Sequence, residues 1–266
     1  MSENGINIKP VLDDYIKNVT SELKIRWNNW SKDLMENNIY EVIGGILSRQ
    51  SSLAIQLAQN INIWNGEIAP IILRTMADNH INLAWILINP KEHSKRFILH
   101  GLGQLKLELE HRKNNLPEDN PEMKELLEQE EEFINSQRYT FLTDINLGSW
   151  SGLNTRKMAE ESDLIDFYNY VYQPFSNCTH NTWAHISKYS LRVSENPLHC
   201  FLRQPIIINF NSDISYMNIG AKYLEKSFKS FDKKFELGIK IESSYEKFIE
   251  DFNEIIEKNN EAQQKI

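Results

Sequence analysis

Residues 69–87 read APIILRTMADNHINLAWIL, and the few polar residues of this apolar stretch share a direction. At about 100° per residue along a helix, Arg74, Asp78, Asn82 and Trp85 fall within one stripe. An arginine and an aspartate set in such a helix must find partners, because an isolated buried charge is very costly. Two kinds of arrangement meet that demand. One is an ion pair that fixes helix register. The other is the floor of a polar pocket, since perturbed charges gather at functional sites.

A second pair lies in YQPFSNCTH, residues 172–180. On a helix that restarts after Pro174, Ser176 and His180 are one turn apart and face the same way. At that spacing a serine hydroxyl reaches a histidine ring. A nucleophilic Ser176 would need His180 as its base, a carboxylate such as Asp78 to orient the base, and an oxyanion site. No Gly-rich elbow exposes the serine, which leaves a Ser176 hydrolase behind the two readings below.

Metals and cofactors have less footing. There is no H-E-x-x-H, no pair of E-x-x-H motifs on facing helices, and no C-x-x-C. The two histidines of HNTWAH do not share a helix face well. Neither a metal nor a cofactor is expected.

These residues need elements to hold them. Only 10 Gly and 8 Pro punctuate 266 residues, which favours long helices over many short strands. Apolar spacing predicts helices over 10–38, 39–61, 70–88, 92–113 and 122 to about 140. Shorter helical segments are expected over 162–173, ending at Pro174, and over 175–192. The β-branched FLRQPIIINF gives one short extended piece near 205–210. Two amphipathic helices, 212–236 and 239–260, complete an all-α multi-helix bundle, read as a single domain over 1–266. Its chemistry must be built between facing helices.

Charge and cysteine content narrow the partners. The net charge of −8 argues against nonspecific tracking of a phosphate backbone. The distribution is uneven, however. Residues 91–113 hold six Lys/Arg and three His against three acidic residues, whereas 118–132 hold eight acidic residues and one lysine. Both read as solvated faces. Cys178 and Cys200 read as small hydrophobes. MSENGINIKP lacks a signal-peptide pattern and no apolar run is long enough to span a bilayer, so a cytoplasmic protein without membrane contact is expected.

Three segments, GGILSRQSSLAIQLAQNINIWNGEIAPIILRTMADNHINLAWIL, WSGLNTRKMAEES and YNYVYQPFSNCTHNTWAHISKY, together resemble an uncharacterised bacterial family of helical domains of unknown function. Its pattern is an Arg with an acidic residue four on, a W-S-G loop, then Y-x-P-x-S-x-x-x-H. Here it falls on Arg74, Asp78, Trp150, Ser151, Gly152, Tyr172, Pro174, Ser176 and His180, across roughly residues 40–200. The resemblance implies that Arg74, Asp78, Ser176 and His180 converge. Asn82, Tyr172 and Trp150 are the candidate binding residues beside this cluster, and WSGLNTRKM is a loop over it, with Arg156 as a second anion contact.

Arg74 and His80 also satisfy the R-x(4–6)-H signature of the HEPN superfamily, whose members include metal-independent ribonucleases. That similarity implies a phosphate held by Arg74 and proton transfer by His80 or His180 as a 2′-hydroxyl attacks. On a straight helix Arg74 and His80 point about 120° apart, which a site assembled across a homodimer axis would accommodate. A lone core or interface histidine is the simpler reading of His80. The functional expectation is a HEPN-like RNA-cleaving effector in bacterial stress or phage defence. The alternative is a non-catalytic helical module that binds a nucleotide, a small ligand or a partner protein.

Overall fold

The computed structural model describes residues 7–115, 120–136, 148–199 and 201–264, with side chains to 260. The expected extension of the fifth helix to about 140 and the reading of Cys200 lie outside these residues. The chain is an all-α bundle. Its long helices are α1 (Lys9–Asn29), α2 (Asn37–Gln59), α3 (Ala69–Ile88), α4 (Pro90–Asn114), α5 (Pro121–Ser136), α10 (Ser215–Phe235) and α11 (Ser244–Gln264). Between α5 and α10 lie the short helices α6 (Thr155–Glu161), α7 (Ile165–Phe167), α8 (Gln173–Thr179) and α9 (Trp183–Tyr189), with a hairpin of β1 (Leu191–Val193) and β2 (Arg203–Pro205).

Helix α3 is the axis of the bundle, because an almost wholly apolar helix must be covered on every side. It packs against α2, α10, α6 and α8. Leu73, Met76, Ala77, Ile81, Leu83 and Ile86 are fully buried along it. Pro70 sits in its first turn, where a missing N–H leaves no bond unmade. The turn before it is fastened by the indole of buried Trp64, which donates to the Leu57 carbonyl at 2.8 Å. Among the described residues, no helix is long and apolar enough to cross a membrane.

Several boundaries differ from the sequence expectation, among them the start of α11, at Ser244 rather than near 239. Helix α1 ends at Asn29 rather than near 38, where Trp30 turns extended at φ −76°, ψ 114°. Its indole then enters a ring cluster with Tyr40, Phe231 and Phe235, at centroid distances of 4.6, 4.9 and 4.6 Å. Burying that ring outweighs continuing the helix.

Pro174 does not break the chain's helical path. Residues Tyr168–Tyr172 form a π-turn that runs from α7 into α8, with Pro174 in the first turn of α8. A proline ring clashes with the carbonyl four residues back, and a wider turn at that point relieves the clash. The stretch 175–192 is instead broken at residues 180–182, where Asn181 adopts the left-handed conformation at φ 49°. Asparagine tolerates that conformation better than most residues.

The extended piece near Pro205 is one half of an antiparallel pair, with Leu191 opposite Pro205 and Val193 opposite Arg203. Each strand is an edge, so the missing N–H of Pro205 costs no interior ladder bond.

Candidate functional site

Arg74 leaves α3 between two short elements, and all three of its neighbours there are polar or aromatic. Its Nε donates to Ser176 Oγ at 2.7 Å and its Nη1 donates to Asp78 Oδ2. The guanidinium lies 3.2 Å above the centroid of the Tyr172 ring. Ser176 Oγ in turn donates to the Tyr172 carbonyl at 3.0 Å, so this hydroxyl is used as both donor and acceptor. The Tyr172 hydroxyl donates to Thr155 Oγ1 at 3.3 Å, which ties the start of α6 to the cluster. The π-turn matters here, because the extra residue in that turn sets the angle at which Tyr172 meets Arg74.

The cluster is buried at its base and open at one edge. Arg74 and Ser176 are buried, while the Asp78 side chain is 41% exposed. Among the described residues, Nη2 of Arg74 forms no hydrogen bond. Burial raises the pKa of the Asp78 carboxyl, against the opposing pull of Arg74 and the charge of His180. Burial likewise raises the Tyr172 phenol. His180 is exposed and within electrostatic reach of Asp78.

The direct Ser176–His180 hydrogen bond is not made. Helix α8 stops at Thr179, and His180 takes φ −100°, ψ 9°, leaving the stripe it shares with Ser176 on an unbroken helix. Only the His180 backbone N–H reaches back, donating to the Ser176 carbonyl at 3.0 Å. With its proton on the Tyr172 carbonyl, Ser176 is a clamp for Arg74, and a Ser176 nucleophile has no support in this geometry.

His80 stands apart from the cluster, turned to α10. Its Nδ1 lies 3.0 Å from Ser227 Oγ, and Ser227 donates its only proton to the Tyr223 carbonyl at 3.1 Å. Nδ1 must therefore carry the proton, giving a neutral imidazole. Phe167 meets that ring edge-on at 5.1 Å. Burial lowers the His80 pKa to about 4, with a smaller push from Lys226. Such a ring does not exchange protons near neutral pH, and the Arg74–His80 pair of the HEPN signature does not form within this chain.

The remaining expected residues divide. Asn82 is half-buried one turn beyond Asp78. Trp150 packs edge-on against Trp85 and Phe97, at 5.2 and 4.9 Å, and so braces α3 against α4. Arg156 is exposed, its Nε 3.3 Å from Glu160 Oε1 in an i,i+4 pair on α6. A nearby acid on its own helix claims it before any ligand over Arg74 could.

Two features were not singled out from the sequence. Tyr168 stacks on Tyr172 at 4.7 Å with an interplanar angle of 20°, widening the aromatic wall. Its spacing of four from Tyr172 was the available signal. On the other flank of α8, buried His185 lies 3.2 Å from Glu67 Oε2, and Cys178 donates to the Glu67 carbonyl at 3.3 Å. No short-range spacing links Glu67 to His185, so only the folded chain brings them together. Among the described residues, no group of three or more potential metal ligands occurs.

A family model described as a family of unknown function (DUF5677) matches residues 40–197. That span takes in Arg74, Asp78, Thr155, Tyr172, Ser176 and His180. No curated protein and no solved structure matches the chain.

Proposed function

The chain belongs to the DUF5677 family of unknown function, and from that premise we propose that it is a helical module binding a nucleotide-class ligand at the Arg74 cluster. The observation that carries this reading is the asymmetry of the Arg74 fork. Ser176, Asp78 and the Tyr172 face hold the guanidinium rigidly, yet among the described residues Nη2 keeps donors to spare beside the half-exposed Asp78. A rigid guanidinium with an open edge suits a phosphate oxygen. The half-exposed Asp78 carboxylate is an acceptor for sugar hydroxyls, and the stacked Tyr168–Tyr172 pair offers a flat face to a base. Titration calorimetry with mononucleotides and short oligoribonucleotides tests it. Binding that Arg74→Lys weakens at least tenfold is expected. No heat with any of them at millimolar concentration would remove the reading.

A second reading, metal-independent RNA cleavage in bacterial stress or phage defence, is favoured by one observation. His180 is exposed and within electrostatic reach of Asp78, the acid paired with Arg74, where an acid–base group is needed. His180 then takes the proton from the 2′-hydroxyl as that oxygen attacks the phosphorus held by Arg74, the P–O5′ bond breaks, and the leaving 5′-oxygen takes a proton from water; one fragment ends in 2′,3′-cyclic phosphate and the other in a 5′-hydroxyl. Cleavage of total RNA or tRNA should survive EDTA and vanish in His180→Ala, but persist in His80→Gln. If neither RNA is cut, binding alone is left.

A further inference from the structure

Helices α4 and α5 form a hairpin with its own small core. Leu109, Leu127 and Ile134 make a cluster separate from the main one. Leu127 and Ile134 are seven residues apart, as are the buried Leu102 and Leu109 on α4, which is the seam spacing of a coiled coil. Salt bridges lace the seam. Arg112 Nη1 lies 3.1 Å from Glu130 Oε1, and Lys113 Nζ lies 2.7 Å from Glu131 Oε2. A three-residue cluster is little to order two helices, since most helical stability comes from the packing of apolar faces.

The apolar surface does not stop at the seam. Leu105 on α4 and Met123 and Leu126 on α5 are 44, 40 and 45% exposed. Leu126 directly precedes the core residue Leu127, and Leu105 lies between Leu102 and Leu109. The hairpin thus carries a second apolar row beside its buried one. Two helices with such a row are half of a four-helix bundle.

The charges say what completes it. Helix α5 carries six glutamates and one lysine, while α4 carries six Lys/Arg and three glutamates. Only part of this charge is satisfied within the hairpin. Among the described residues no ion pair is formed by Glu122, Glu125, Glu128, Glu132 and Lys124 on α5, which leaves a net negative surplus, or by Lys95, Lys106 and Glu110 on α4, which leaves a net positive one. Packing α5 on another α5 would set two acidic helices together. Packing α5 on a second α4 brings opposite charges around the apolar row.

We propose that the α4–α5 hairpin is a self-association arm, on which α4 of one copy packs against α5 of a second copy of this chain. The 16 residues of α5 rise about 24 Å, so the face covered is on the order of 500 Å² per copy. That is below the ~800 Å² per partner of a standard stable interface, and the dimer is a weak one. The arm is independent of the nucleotide reading, since neither Arg74 nor its partners touch it.

Sedimentation velocity of the full chain, from about 5 to 500 µM, should show a concentration-dependent shift from monomer to dimer. Leu126→Glu should raise the dimer dissociation constant at least tenfold, and 1 M salt should raise it as well. Because Leu126→Glu can also disturb the hairpin, a second pair of variants fixes the geometry. A mixture of Leu105→Cys and Leu126→Cys chains should form an intermolecular disulfide faster than either variant alone, against the background of the parent's own cysteines. A monomer at every concentration would overturn the proposal. So would Leu126→Cys linking to itself as readily as to Leu105→Cys.

Discussion

Two buried arginines in this molecule are built to the same plan and end differently. Arg26 on α1 donates from Nη1 to Glu22 at 2.8 Å, one turn back, and lies 4.0 Å over the ring of Phe228. Arg74 on α3 donates to Asp78, one turn on, and lies over Tyr172. The difference is the third partner. Arg26 turns Nε and Nη2 onto Asp232 of α10, at 3.0 and 2.8 Å, so a second carboxylate closes its fork. Arg74 meets the neutral hydroxyl of Ser176, and its own acid stands half in solvent. Glu22 is 3% exposed and also accepts from the backbone N–H of Ser244 at the start of α11. The first cluster is a clasp holding α1, α10 and α11 together. The second leaves donors facing water, and an unfinished network is what a ligand can complete.

The sharpest way to break that contrast is Arg26→Ala. It strands two carboxylates, one fully buried, and should destabilise the fold by about 3–5 kcal/mol in urea or thermal denaturation. Burial already raises the Glu22 pKa, against the Ser244 N–H and Arg26, so losing the guanidinium removes one of the few influences that keep it charged. Arg74→Ala should be milder, because the acid it abandons can hydrate. Equal losses in the two variants would mean that Arg74 is a clasp of the same kind.

His80 belongs with the closed side, and its titration gives the next largest effect. Its pKa is lowered to about 4 by burial, against an ordinary value of 6.5. A base held neutral in the fold contributes stability that is fully present above 6.5 and is lost as pH falls towards 4. The loss between pH 7 and pH 4 is on the order of 3 kcal/mol. His80→Gln keeps a donor for Ser227 and does not titrate, so its stability should fall less over that window. The same variant should leave nucleotide binding unchanged. A binding defect in His80→Gln would put the ring back in the site.

Asp78→Ala ranks third, at about 1–2 kcal/mol, because it uncovers a buried guanidinium on one side only and the lost acid was half exposed. Asp78→Asn should recover most of that stability through a remaining acceptor, yet still weaken a ligand that needs the carboxylate. Stability and binding that fall together in both variants would argue for a purely structural pair.

The polar partners of α3 were legible because an Arg and an Asp four apart in an apolar helix leave few outcomes. The helix itself was legible for the same reason, from Pro70 to the Asn89-Pro90 stop. What local spacing does not carry is decided by tertiary contacts. The Ser176–His180 pair was drawn on an unbroken helix, and the left-handed Asn181 that turns the chain away is set by what α9 packs on. The path through Pro174 was misread for a related reason, since a proline signals a broken helix and not a widened turn. Asp232 lies 206 residues from Arg26, and no periodicity links them. The clasp was therefore invisible in sequence, although Arg26 sits on the same apolar face as Val19 and Tyr15.

The smallest expected effect tests the loop beside the site. The sequence reading set Arg156 over Arg74 as a second anion contact, on the strength of the W-S-G segment before it. In the structure Arg156 shares Glu160 with Lys157, three and four residues along an exposed helix face. Such a pair holds two long side chains in water and contributes almost nothing to stability. Arg156→Ala should leave the melting temperature where it was and the nucleotide affinity unchanged at physiological salt, while Arg74→Lys lowers that affinity at least tenfold. At low salt a small loss common to all anions is expected, from the long-range field alone. A loss in Arg156→Ala equal to that in Arg74→Lys would move the phosphate from the α3–α8 seam to the start of α6. The open edge of Arg74 would then be a packing remnant, and the difference between the two arginines would lie only in how exposed their acids are.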